Sequence, residues 1–207
     1  MRLLRANGPN VITLCALFIL ATTLATDSQA SSKGVGTIRV GVALPNLSYQ
    51  GVTFDGNAGV DVGFTLGGQF GDYFRLDGLD FSYLGGSTVI SGVNVDEFFL
   101  IIGTGVRLGL FAETQKLHPY VSIGIGGAYG QQDQSGFTAA SGWGFEWNLG
   151  AGLEYQVNRH LGLGLRYRYR SSTINFLVAT GGFPPFAYIS PTVSAHTIGV
   201  EVSFMGP

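Results

Sequence analysis

LGLGLRYRYR, residues 161–170, alternates strictly between two kinds of side chain. Leu161, Leu163, Leu165, Tyr167 and Tyr169 fall on one parity; Gly162, Gly164, Arg166, Arg168 and Arg170 fall on the other. A period of two belongs to a β-strand whose two faces meet different surroundings. One face here is bulky and apolar, and the other carries glycine and three guanidinium groups. The class of protein depends on which of them looks at water.

The same alternation recurs along the chain. Residues 37–44 place Ile38, Val40, Val42 and Leu44 together, and residues 60–70 do so with Val60, Val62, Phe64 and Leu66. In residues 73–84 the apolar parity slips by one at Gly78, as a β-bulge requires. Residues 98–108, 119–130, 143–157 and 194–204 repeat the pattern, most fully in Trp143, Phe145, Trp147, Leu149, Ala151, Leu153, Tyr155 and Val157. That gives eight strands of about ten residues, the length of a tilted strand that crosses a bilayer. Short connections at Gly71-Asp72 and 158–160 alternate with longer ones at 45–58, 85–92, 131–142 and 172–191, and 109–118 is intermediate. Short turns at one end and long loops at the other describe an up-and-down barrel.

Composition chooses between a soluble and a membrane barrel. Charged residues make up 12% of the 207, against about 25% in typical soluble domains. The less bulky face is rich in Gly, Ser, Thr and Ala, and the two lysines, Lys33 and Lys116, fall outside the strands as read. Aromatics gather near strand ends on the apolar face: Tyr83, Tyr129, Trp143, Trp147, Tyr155, Tyr169 and Phe204. Such belts mark membrane interfaces. With the leucines and tyrosines toward lipid, the arginines enter the barrel. The opposite register would put arginine in hydrocarbon at about 2–4 kcal/mol each near the midplane.

That register sends thirteen charged residues inward. The six arginines are Arg39, Arg75, Arg107, Arg166, Arg168 and Arg170. The seven carboxylates are Asp61, Asp77, Asp80, Glu97, Glu146, Glu154 and Glu201. Near-balance implies ion pairing inside, because isolated buried charges are costly. Eight strands leave an interior just wide enough for side chains to fill.

Arg2 and Arg5 precede the apolar run 11–25, and DSQA follows, ending at Ala30. That order is a cleaved signal peptide over residues 1–30, with cut sites after Ala30 or Ala25. The barrel domain then occupies 31–207. Cys15, the single cysteine, lies in the leader, and Leu14 before it does not fit a lipid-attachment site. With a formal charge of −2 over the whole chain, there is no basic footprint for nucleic acid.

PYVSIGIGGAYG (119–130) and GFEWNLGAGLEYQVNRHLGLGLRYRYR (144–170) resemble the later hairpins of the OmpA/OmpX and opacity-protein type of eight-stranded outer-membrane barrel. FGDYFRLDGLDFSYLG (70–85) resembles their second turn region less specifically. The resemblance covers residues 37–204. It implies a Gram-negative outer membrane, lipid and lipopolysaccharide as surroundings, long loops at the cell surface and a small ionic lumen. In this family the last strand usually ends the chain on an aromatic; here Met205, Gly206 and Pro207 follow Phe204.

The residues supply no catalytic, cofactor or metal set. His118, His160 and His196 read as turn or interfacial histidines, and neither His-x-Ser nor Gly-x-Ser-x-Gly occurs. The loop NFLVATGGFPPFAYI (175–189) is unusually apolar. Phe176, Phe183, Pro184, Pro185, Phe186 and Tyr188 would form a tip that packs on neighbouring loops or a patch that meets a host surface or partner protein. Three functions stay open. One is a monomeric barrel serving envelope structure or surface interaction and adhesion, without catalysis; the others are a narrow porin-like channel for small solutes and a lipid-modifying barrel enzyme.

Overall fold

The computed structural model describes residues 32–90, 93–134, 137–179 and 186–206. The expected leader, residues 1–30 with Cys15, Ala25 and Ala30, lies outside them. Ten strands follow in order: β1 (Ser32–Tyr49), β2 (Val52–Asp55), β3 (Gly59–Phe70), β4 (Phe74–Ile90), β5 (Val93–Gly109), β6 (Leu117–Gln134), β7 (Phe137–Asn158), β8 (Leu161–Ala179), β9 (Phe186–Ile189) and β10 (Thr192–Met205). All pairings are antiparallel. The order runs from β10 through β1 and β3 to β8, and the pairing of β10 with β8 closes the barrel. Eight long strands form the wall. The four-residue β2 and β9 are returns that pair with β1 and β8 at the long-loop end.

The strands outrun the ten-residue expectation. β7 has 22 residues and β8 has 19, and together with β6 and β9 they absorb most of the segments read as loops at 131–142 and 172–191. β1 also begins early enough to take in Lys33. The physical reason is that alternation persists beyond the lipid-facing stretch with Ser, Thr, Asn and Gln in place of leucine. Polar outward residues hide a strand from a hydrophobic reading but do not end its ladder. The β1–β2 turn reverses at Gln50 and Gly51, both at positive φ (51° and 80°), the combination of a tight hairpin turn. The phase slip read at Gly78 appears as a register shift between Asp77 and Asp80 on β4.

Faces sort by parity as the opening decapeptide does. Leu163, Leu165 and Tyr167 are exposed on the outside, while Arg166, Arg168 and Arg170 are buried inside. A belt of exposed Val, Ile, Leu, Phe, Trp and Tyr surrounds the wall, far more than a water-soluble monomer shows in one contiguous surface. The inward glycines of the same stretch make room for carboxylates. A Cβ on Gly162 would stand 2.9 Å from Cδ of Glu154, and one on Gly164 2.9 Å from Cγ of Glu201. Gly164→Val is therefore expected to overpack the lumen at a cost of about 1–3 kcal/mol. Unfolding of the refolded barrel in detergent, followed by heat-dependent gel mobility, measures it.

Candidate functional site

The lumen is built in tiers. Nearest the short turns, Arg75 on β4 donates both Nη groups to the two oxygens of Glu154 on β7, each at 2.9 Å. Its Nε donates to Gln69 Oε1 at 3.1 Å, and its guanidinium lies 4.0 Å over the Phe111 ring. Glu154 also accepts from Ser203 Oγ at 2.8 Å, with His118 Nδ1 3.6 Å away. Phe111 comes from the turn between β5 and β6, and it is buried because that turn folds under the barrel mouth. Its N–H donates to the Asp72 carbonyl, and its own carbonyl accepts from Gln69. An ion pair of Lys33 with Glu113 ties the same turn to β1. The hydrogen bond and charge of Lys33 hold the exposed Glu113 carboxyl below its ordinary range.

In the next tier, Arg107 donates to Asp77 at 3.0 Å and to Glu201 at 3.2 Å, and Tyr120 donates to Glu201 at 2.5 Å. Arg166 donates to Ser122 at 3.3 Å and lies 3.9 Å from Glu201. Asp80 is shared between Arg39 at 2.5 Å and Arg168 at 3.0 Å. Arg39 and Arg170 both donate to Ser82, and Arg170 lies 3.7 Å from Glu146. A cavity of about 10 Å³ bordered by Arg39, Asp61, Arg166 and Arg168 has room for one water.

Toward the long-loop end the lumen turns apolar. Leu47, Leu84, Phe99, Ile101, Ile174 and Phe176, with alanines and Val193, form a buried cluster inside the wall. Phe54 and Ile189, carried by the returns β2 and β9, pack against it. Glu97 sits beside this cap. Instead of an arginine it has Gln132 Nε2 at 2.9 Å and Thr88 Oγ1 at 3.3 Å as donors.

The structure thus places all thirteen inward-read charges on the inner face, Asp80 the least enclosed of them. It brings eleven into ion pairs. Asp61 and Glu97 form none within 4 Å among the described residues, so pairing is less complete than the near-balance of charge suggests. The aromatics Tyr83, Tyr129, Trp143, Trp147, Tyr155, Tyr169 and Phe204 all stand on the outer parity. Trp143 packs against Tyr129 as a tilted pair with ring centroids 5.0 Å apart, and Trp147 meets Tyr169 edge-on at 5.5 Å.

Two readings need correction. Phe176, expected in an exposed loop, is wholly buried in β8, because the strand continues and turns it inward. His118, expected in a turn, is a buried residue of β6 facing Glu154. His196, read as interfacial, lies on the outer face of β10, where its Nδ1 is 2.7 Å from the Tyr167 hydroxyl. Phe183, Pro184 and Pro185 fall outside the described residues, as does the side chain of Phe186; Tyr188 is 75% exposed.

Sequence reasoning missed Tyr120, Gln69, Ser82 and the apolar cap. Parity could have found Tyr120, since Val121 beside it faces out. The run FFLII (98–102) carried the signal of the cap, being apolar on both parities as a doubly buried strand is. Phe111 left no periodic trace in its turn.

A closed antiparallel barrel with an apolar belt, interfacial aromatics and a polar interior defines an outer-membrane β-barrel protein of the Gram-negative type. Residues 12–205 match the outer membrane protein beta-barrel domain, and the chain belongs to that family. Among curated proteins no sequence match is found. Among solved structures it is similar to neisserial surface protein A, with 15% identity, TM-score 0.54, 81% of this chain and 96% of that one covered. It is similar to the outer membrane protein OprG from Pseudomonas aeruginosa, with 13% identity, TM-score 0.51 and coverages of 86% and 99%. It is also similar to the outer membrane protease OmpT from Escherichia coli, with 7% identity, TM-score 0.46 and coverages of 86% and 97%. At these identities the likeness to neisserial surface protein A and OprG is one of fold.

Proposed function

We propose that this barrel works from its surface: a closed, non-catalytic outer-membrane protein that serves envelope structure or surface interaction, set in lipopolysaccharide with its long loops outward. The observation that carries this reading is the double seal of the lumen. Phe111 and the Arg75–Glu154 pair close the short-turn end, and the Phe99–Phe176 cluster closes the other. Between them the guanidinium groups and carboxylates form ion pairs across an interior that eight strands leave just wide enough to fill, and the cavity bordered by Arg39, Asp61, Arg166 and Arg168 has room for about one water. An interior so filled contributes stability and orientation, and it leaves recognition to the outer face and the loops.

Reconstituted into planar bilayers, the wild-type barrel is expected to show no steady conductance. An ion-selective current whose selectivity changes in Arg168→Glu would assign a channel instead. Topology is read separately. Cysteines at Gln50 or Tyr188 should react with an impermeant maleimide on intact cells, while one at Asn158 should not; the reverse pattern would invert the barrel.

A further inference from the structure

The outer wall is not uniform around its circumference. On β7, Trp143, Phe145 and Trp147 point outward, Trp143 at 65% exposure. Their cross-strand partners on β8 are Asn175, Thr173 and Ser171. The polar column then repeats: Thr173 and Ser171 pair with Thr192 and Ser194 of β10. Those pair in turn with Ser48 and Asn46 of β1. Three neighbouring strands thus present a sheet of hydroxyl and amide groups walled on one side by three aromatic rings. Just below it lies the row Tyr169, His196 and Leu44, and below that Tyr167, Ile198 and Val42, the lipid-facing belt. On the β7 side of this seam the aromatic belt continues upward; on the β8, β10 and β1 side it gives way to these polar residues, with Leu177 of β8 exposed above them.

Charge narrows what this surface can hold. Outside the lumen, the cations of residues 31–207 are Lys33, Lys116 and Arg159, all at the short-turn end. The long-loop segments carry Asp55, Asp96 and Asp133 and no lysine or arginine. A phosphate or sulfate would find no counter-charge there. Hydroxyls and amides both donate and accept, which matches the hydroxyl groups of a neutral sugar. Indole and phenyl rings offer flat apolar faces to the C–H face of a pyranose.

We propose that the β8–β10–β1 face, with Trp143 and Trp147 as its wall, binds neutral core sugars of lipopolysaccharide in the same membrane. The continuity of the patch with the lipid-facing belt selects that source over a soluble glycan, since the ligand's acyl chains would lie on Val42, Ile198 and Tyr167. This rests on the outward placement of the long loops proposed above.

The two tryptophans of the chain are Trp143 and Trp147, so intrinsic emission reports on this seam directly. The barrel, refolded in phosphatidylcholine vesicles, is titrated with rough lipopolysaccharide bearing core sugars, with the same material dephosphorylated, and with lipid A lacking core sugars. The first two are expected to shift the emission with similar half-saturation, and the third is not. Thr173→Val with Thr192→Val keeps shape and strand preference while removing two hydroxyls, and should weaken the response about tenfold. Thr173→Val alone should weaken it about threefold. Loss of the signal on dephosphorylation would assign a phosphate site and overturn the proposal. So would a response unchanged in the double variant, or none to any lipopolysaccharide. The cell-labelling pattern at Gln50, Tyr188 and Asn158 tests the underlying orientation independently of these titrations.

Discussion

Glu154→Ala is expected to lower the stability of the barrel by about 3–5 kcal/mol, the typical consequence of stranding one member of a buried ion pair. Glu154 accepts two hydrogen bonds from Arg75 and one from Ser203, and His118 faces it as well. Alanine leaves the guanidinium of Arg75 enclosed between Gln69 and the Phe111 ring, with no other carboxylate within 4 Å among the described residues. The loss should therefore come from the uncompensated charge. This has a direct consequence: Arg75→Met combined with Glu154→Gln should cost less than Glu154→Ala alone. Arg170→Ala offers a contrast, because Arg170 holds Glu146 only at 3.7 Å and, among the described residues, donates its hydrogen bond to Ser82. Its cost should be about 1–2 kcal/mol. Urea unfolding of the refolded proteins in micelles, followed by tryptophan emission, measures all three against the wild type. A Glu154→Ala barrel within about 1 kcal/mol of wild type would show that water screens the pair as it does on a surface.

What was legible in the sequence follows from where a residue's environment leaves a periodic trace. Lipid on one side and a packed lumen on the other force opposite chemistry onto alternate positions. The wall, its register and the inward arginines of 161–170 can therefore be read one residue at a time. Partner choice cannot, because it depends on which strands face one another across the lumen. Arg75 and Glu154 are 79 residues apart, and no local pattern links them. The loop end was misread for a related reason. Beyond the lipid, Ser171, Thr173 and Asn175 face outward while Ile174 and Phe176 face inward, so the hydrophobic parity reverses although the strand does not end. A reading that takes apolar for outward then sees an irregular, sticky loop where the ladder simply continues. The outer patch stayed hidden in the same way, since its polar residues come from three strands far apart in the chain.

The cap supplies the other large effect. Phe176 is wholly buried, with Phe99 and Ile174 in the same cluster, and Phe176→Ala should cost about 3–5 kcal/mol, as for other large core truncations. Its effect on conduction should be different. The cap and the ionic tiers are seals in series, and the arginines and carboxylates below the cap remain engaged when an aromatic ring above them is removed. Phe176→Ala alone should therefore be less stable yet still silent in a planar bilayer. Joined with Glu154→Ala, which loosens the short-turn seal against Phe111, it should pass a measurable current. A steady conductance from Phe176→Ala by itself would mean that the ionic tiers are open to water and that the apolar cap alone keeps the barrel shut. In that case the lumen would be a channel held closed by its loop-end core, and Arg166, Arg168 and Arg170 would be groups that select ions.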